Sequence, residues 1–482
     1  MTPQAEKLPT RIVLANGFGS VAYGVKDNGF STFLLIFYSQ VVGLDAKLVS
    51  LALMFALIAD AFVDPLIGHL SDRTYTRWGR RHPWLYIAPW PLAFAWMLLW
   101  SPPDDHTHIF AYLVVVAILV RTLVSACEVP SQSLVAELTS DYDERTRITR
   151  YRYLFAWAGG LFVFFLANTV FLRADADHEF GQLNPQGYWM FGLAGAGIMV
   201  FSVILSALGQ HKRVAHLPAT RPAPSSPLNA LREIGESLRH PAALILLAAA
   251  MIAISSSQMT LAIANFLYLY VWQLNETFFA ILPFVLLVTV LTAFTTVQPL
   301  HTRFGKRATA VGAGIVSTAV WVTPYILRFT GVWPTEGTSS SSILLLCFTL
   351  VANSAAVIVM VSAQSMLADV VEASQQQTGR RTEGVFASGW MFVQKCGTAL
   401  GIGATGLLLD FAGLQSHAVP GQVGESVIDR LTIAYAILVA LAAAASSFIF
   451  SRFPITRADH EARLSALKTA SSIDPDAEAG HP

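Results

Sequence analysis

Two carboxylates stand four residues apart in an otherwise apolar run, Ala59-Asp60-Ala61-Phe62-Val63-Asp64-Pro65. A spacing of four puts both on one face of a helix, one above the other. A charged group at membrane depth costs about 3 kcal/mol or more unless something compensates it. The pair therefore implies a cation, a proton, a basic partner, or an alternation among these, which is the chemistry of ion-coupled transport. For Asp64, next to Pro65 and a basic loop, the competing reading is a wet helix end.

Other ionisable residues interrupt apolar sequence in the same way. Lys26 and Asp27 lie between Gly24 and Gly29, where a local pair at a water-filled kink is the simpler alternative. Arg121, Ser125 and Glu128 share a helix face, and Arg121 is expected to hold Glu128. Lys395, in Phe392-Val-Gln-Lys-Cys-Gly397, needs an anionic partner from elsewhere in the chain, for which Asp60 and Asp64 are the natural candidates. Lys26, Arg121 and Lys395 against Asp27, Asp60, Asp64 and Glu128 leave about one unit of negative charge, which one bound cation or proton would neutralise. Neutral candidates for a polar cavity are Asn16, Tyr23, Gln258, Asn265, Asn353, Gln364 and Trp390, each equally suited to an interhelical hydrogen bond. Asp369, Glu372 and Glu383, near Arg380 and Arg381, read as gating acids or as solvated ones.

These residues need apolar helices to hold them. Hydrophobic residues make up 54% of the 482 and charged ones 13%, which excludes an ordinary soluble domain. Twelve apolar blocks are long enough to span a bilayer, which takes about 20 residues. They lie near 12–42, 47–71, 83–100, 109–137, 151–172, 188–208, 241–272, 277–299, 308–328, 343–369, 384–409 and 429–452. The short alternating segments of a membrane barrel are absent, so the predicted class is an all-α membrane protein. Basic clusters at Arg73/Arg77/Arg80/Arg81, Arg145/Arg147/Arg150/Arg152, Lys212/Arg213, Arg303/Lys306/Arg307 and Arg380/Arg381 fall on alternate loops. Asp104, Asp105, Asp175, Asp177, Glu179, Glu336 and Glu425 fall on the others. Positive-inside asymmetry then predicts a multi-pass protein of the cytoplasmic membrane with both termini cytoplasmic, and the basic loops need no nucleic acid to explain them.

The proline-rich polar stretch 211–240 reads as a linker between two six-helix bundles, 1–210 and 241–458, with a short amphipathic piece at 228–238 and a disordered tail at 459–482. Thr76-Arg-Trp-Gly-Arg-Arg81 recurs as Thr302-Arg-Phe-Gly-Lys-Arg307 at the equivalent place in the second half, which points to duplication. Asp72 and Arg73, with Arg80 and Arg81, are placed to lock neighbouring helix ends and so to gate. Glycines at 192, 195 and 197 and at 397, 401, 403 and 406 suit close helix packing. Cys127, Cys347 and Cys396 are too scattered for a disulfide framework, Asp104-Asp-His-Thr-His108 is too sparse for a metal centre, and Met1–Thr10 lacks a signal peptide's apolar core. No nucleophile–base spacing or phosphate loop is visible, so no enzyme is expected.

Asp60-x3-Asp64-Pro65, Gly79-Arg-Arg-His-Pro83-Trp84, Glu128-Val-Pro130, Asp141-Tyr-Asp-Glu-Arg145, Thr378-Gly-Arg-Arg-Thr-Glu-Gly384 and Gln394-Lys395 occur in this order along nearly the whole chain. As an ordered set they resemble the glycoside–pentoside–hexuronide:cation symporter family of the major facilitator superfamily, whose familiar member is the melibiose carrier. The resemblance implies alternating-access symport of a sugar with a cation, proton or sodium, by a monomer without other cofactors. By that analogy Asp60, Asp64 and Ser125 form the cation site. Asp27, Glu128 and Arg152 hydrogen-bond sugar hydroxyls and Lys395 couples the two sites; Lys26 and Trp390 stand beside them as further solute-facing candidates and Arg121 as a further coupling one. Two departures stand out. Val63 replaces the Asn of sodium-coupled members, which favours protons, and Glu128 replaces an Asp, so sugar preference does not carry over. Vertebrate lysophospholipid transporters share the plan, so a lysolipid is the alternative solute, and a sensor that has lost turnover is the rival outside transport.

Overall fold

The computed structural model describes residues 7–103, 106–139, 141–175, 178–214, 241–378 and 383–454. Asp104, Asp105, Asp177, Arg380, Arg381, the linker beyond Val214 with its amphipathic piece, and the tail lie outside them.

Among the described residues the chain forms twelve helical spans. The first, α1, covers 10–41 and is broken, with π turns at Gly29–Phe33 and Phe37–Val41. α2 is Ala46–Asp72, and α3 runs over 82–99 in two pieces, His82–Ile87 and Pro89–Leu99. α4 is Ile109–Leu138, α5 is Tyr142–Leu166 followed by a π turn, and α6 is Pro185–Val214. The second half repeats the plan with α7 (Pro241–Phe266, then a π turn), α8 (Glu276–Phe304), α9 (Lys306–Phe329), α10 (Ser339–Thr378), α11 (Glu383–Ala412) and α12 (Glu425–Ser451). Helices are the form in which such segments satisfy every backbone polar group without water. Several outrun the apolar blocks that predict them. α5 starts nine residues before the apolar block at 151, because Asp141 caps the polar stretch by accepting a hydrogen bond from the Glu144 amide at 2.8 Å.

Helix neighbours show the duplication. In the first half α1 packs on α5 and α6, α2 on α4, and α3 on α4 and α6. Each pairing recurs six helices later: α7 on α11 and α12, α8 on α10, α9 on α10 and α12. This is the major facilitator fold. The shared hexapeptide also keeps its backbone, with Gly79 at φ +91° and Gly305 at φ +80°, a region where glycine lacks the steric penalty of other residues. A second repeat escapes a simple sequence match. After the final π turns of α1 and α7, the Leu44 amide donates to Tyr38 O and the Leu274 amide to Tyr268 O, both at 2.9 Å. Asp45 and Asn275 then cap α2 and α8.

Contacts between the bundles run through α2–α11, α5–α8 and α1–α7. They gather at the face carrying the acidic loops. There Asn265 Nδ2 donates to Thr32 O at 2.9 Å, Lys47 pairs with Asp410 at 3.4 Å, and Glu276 accepts from the Ala174 amide at 2.6 Å. Gln40 Oε1 accepts from the Ala418 amide and lies 3.0 Å from the Tyr270 hydroxyl. Glycine permits the closest approaches: a Cβ at Gly406 would collide with Ser50 of α2, and one at Gly401 with the Ser255 carbonyl of α7. Gly197 is the exception among the expected packing glycines, since nothing lies near it. Large apolar side chains such as Phe62, Phe94, Phe201, Phe294 and Leu441 are left exposed on the protein's surface, as a bilayer-facing exterior requires.

Candidate ion and solute site

Pro65 in α2 and Pro130 in α4 each remove one backbone donor from a helix ladder, just after the acids Asp64 and Glu128. α4 carries a polar stripe, Arg121, Ser125, Glu128 and Gln132, at intervals of four, three and four, so one face of one helix meets both α1 and α2.

Asp60 is the centre of the group and only 5% exposed. It accepts from Arg121 Nη2 at 2.7 Å, from Ser125 Oγ at 2.9 Å and from Lys395 Nζ at 2.9 Å. Lys395, the one member from the second bundle, also reaches the Asp60 backbone carbonyl at 3.2 Å and Asp64 Oδ2 at 2.5 Å. Asp64 Oδ1 is buried without a partner among the described residues. The ammonium thus lies between the two acids, and Asp64 belongs to the buried group rather than to a wet helix end.

Next to it, Lys26 pairs with Asp27 at 2.9 Å and with Glu128 at 3.5 Å, while Gln132 donates to the other Glu128 oxygen at 3.1 Å. Two expectations change here. Arg121 pairs with Asp60, not with Glu128: seven residues along one helix fix a common face, whereas the partner comes from the helix opposite. The Lys26–Asp27 pair is not merely local, because Glu128 shares it. The π turn that follows at Gly29–Phe33 is the irregular backbone expected where polar groups enter a helix.

Arg152 is a third correction. Grouped by sequence with loop arginines, it is 8% exposed within α5, where Nη1 donates to Asn16 Oδ1 at 3.2 Å, Ser131 Oγ at 2.8 Å and Ser131 O at 3.3 Å. Among the described residues no carboxylate pairs with it, and its Nε and Nη2 have no acceptor. Asn16 in turn donates to Gln210 Oε1. With Arg152 counted, four cations stand against four acids, of which Asp27 has its side chain 67% exposed, and the unit of negative charge expected from the sequence disappears.

The sequence matches the family described as MFS/sugar transport protein over residues 15–457. The chain belongs to that family. It is similar to the glucuronide carrier protein homolog of Escherichia coli strain K12, at 24% identity over 86% of each chain. It is also similar to the sodium-dependent lysophosphatidylcholine symporter 1 of Gallus gallus, at 25% identity over 96% of this chain and 90% of that one. Among solved structures, the nucleoside transporter NupG superposes with a TM-score of 0.62 at 14% identity, covering 92% of this chain and 98% of that one, which speaks for the fold alone.

In this MFS transporter the residues expected to gate form networks that stay within one bundle. Arg80 pairs with Glu137 at 2.6 Å and Arg81 with Asp72 at 2.8 Å, with a longer contact from Arg81 to Glu137. Arg73 stands apart: it is exposed, and no described acid pairs with it. The second half repeats the lock, since Lys306 pairs with Asp369 at 2.6 Å. Asp369 is therefore a buried structural acid (8% exposed), not a solvated end. Trp390 is also corrected. It is buried among Leu246, Leu247, Met366, Phe386 and Val393 in the core of the second bundle and does not join the charged group. The apolar packing of α7, α10 and α11 claims its large ring.

Sequence reasoning missed Gln132 and Glu137. The first continues the α4 stripe by one more step of four. The second ends that helix opposite the hexapeptide, in the place that Asp369 holds on α10.

Proposed function

We propose that this transporter is a cation-coupled symporter of the cytoplasmic membrane that carries a sugar or glycoside bearing an acidic group. It would work as a monomer, with both termini and the basic loops inside. The observation that carries the reading is Lys395, a cation of one bundle held between Asp60 and Asp64 of the other. An arriving cation that takes over the acids releases Lys395, and with it a tie between bundles. The Gln40–Tyr270–Ala418 and Lys47–Asp410 contacts close the acidic face, so opening outward would require them to part.

Lys26, Asp27, Glu128, Gln132 and Arg152 would meet the solute, carboxylates accepting from sugar hydroxyls and Arg152 donating to an acidic substituent. Charge supports that substituent. Counted with the exposed Asp27 the group sums to zero, so a cation alone leaves an uncompensated charge, whereas a cation with an anionic solute does not. Val63 beside Asp64 offers no oxygen ligand, which favours a proton. A lysolipid is the second reading, because the phosphate of such a head group would suit the same free donors of Arg152 and a relative of that name aligns over nearly the whole chain.

Uptake into proteoliposomes tests both. A pH gradient should drive accumulation of an aryl glucuronide more than of the matching neutral glucoside. Uptake of lysophosphatidylcholine with no response to either sugar would replace the solute reading. Indifference of every solute to both proton and sodium gradients would end the symport reading.

A further inference from the structure

Two cations hold Asp60, and they differ in what they can do. Lys395 belongs to the second bundle and leaves whenever the bundles separate. Arg121 belongs to α4, packed against α2 within the first bundle, and has no such exit. The residue is 8% exposed, and its guanidinium bonds Asp60 Oδ2 at 2.7 Å and lies 5.3 Å from the Phe30 ring centroid of α1. That aromatic contact steadies a buried guanidinium.

We infer that Arg121 is a resident cation that withdraws Asp60 from the ion site and so excludes sodium and lithium from this transporter. The inference rests on Asp60, Asp64 and Lys395 being the coupling group and adds the residue that sets ion choice. Charge balance does not separate a proton from a sodium ion, since each carries one unit; oxygen ligands do. Hard cations take several oxygen ligands, and Arg121 occupies Asp60 Oδ2 while Ser125 occupies Oδ1. Val63 adds none. The mobile ammonium can exchange for an ion; the guanidinium sits where a second ligand would be needed.

The test compares melting of purified full-length wild type, Arg121→Gln and Arg121→Lys in sodium chloride and in choline chloride of equal concentration. Wild type and Arg121→Lys should show no difference between salts. Arg121→Gln should melt at least about 2 °C higher in sodium, as expected of a ligand that binds the folded state. A sodium shift in wild type overturns the inference whether or not the variant folds. So does a folded Arg121→Gln that ignores sodium, with Arg121→Met as the second neutral variant. Asp64→Asn separates this from the parent reading. If it abolishes gradient-driven uptake, the coupling group stands and only the role of Arg121 is at stake. If uptake survives, the coupling group itself is wrong.

Discussion

Replacing Lys395 by methionine tests the cross-bundle pairing most directly. Asp60 would keep Arg121 and Ser125, so the loss falls on Asp64, whose Oδ2 has Lys395 as its donor and whose Oδ1 has none among the described residues. Removing one partner of a buried pair costs about 3–5 kcal/mol. The Asp64 side chain is 23% exposed, so partial solvation keeps the loss at the low end of that range. We therefore expect about 3 kcal/mol, which at about 2–4 °C per kcal/mol for a bundle-sized unit lowers the melting temperature by about 6 °C or more. Asp64→Asn removes the stranded charge, so the double variant should regain at least about 1.5 kcal/mol over the sum of the single effects. Concentrative uptake should vanish in Lys395→Met, while exchange at equal solute concentrations persists. Additive single effects, within about 0.5 kcal/mol, would refute the pairing as an energetic tie.

Arg152→Gln should weaken solute affinity by about 10- to 100-fold, the worth of a charge-assisted hydrogen bond, read by competition binding on the folded variant, and should also cost about 1–3 kcal/mol of stability because Asn16 and Ser131 lose a buried donor. Tyr270→Phe removes the hydroxyl shared by Gln40 and Ala418 at the acidic face and should favour outward opening, seen as a longer spin-label distance between the acidic-face ends of α2 and α11. Glu137→Gln and Asp369→Asn each strip the acid from an equivalent lock, so both should lower stability by about 1–3 kcal/mol in denaturation experiments; an effect in one half only would count against their equivalence.

The parts of the site that can be read in the sequence are those where burial alone forces a conclusion. Asp60, Asp64 and Lys395 each interrupt apolar sequence, so each needs a partner, and opposite signs in different halves name the pairing. The partner of Arg121 is hidden because helical periodicity identifies a face and not what lies across from it. Arg152 enters the sequence reading through the family resemblance alone, because α5 passes from Glu144, Arg145, Arg147 and Arg150 to Arg152 with no sharp change of composition, and only packing shows where solvent ends. Asp369 misled for the opposite reason. It stands near a helix end, where solvation is the usual answer, yet Lys306 lies across from it. The π turns have no compositional mark beyond Tyr38 to Leu44-Asp45 and its echo at Tyr268 to Leu274-Asn275.

The distribution of charge between the bundles bears on how a symporter of this kind would avoid leaking. Asp60, Asp64, Arg121, Lys26, Asp27, Glu128 and Arg152 all ride on the first bundle, and Lys395 alone comes from the second. Under the proposed function, the first bundle without Lys395 carries one uncompensated negative charge. It therefore cannot part from the second cheaply unless a cation has replaced the lysine. The same bundle holds Arg152 with unspent donors, so a cation without its solute removes one imbalance and leaves donors unmet. Coupling on this view requires no signal passed between distant sites. It follows from placing seven of eight charged groups on one rigid body and the eighth on the other, so that separating the bodies and loading the site are one electrostatic problem.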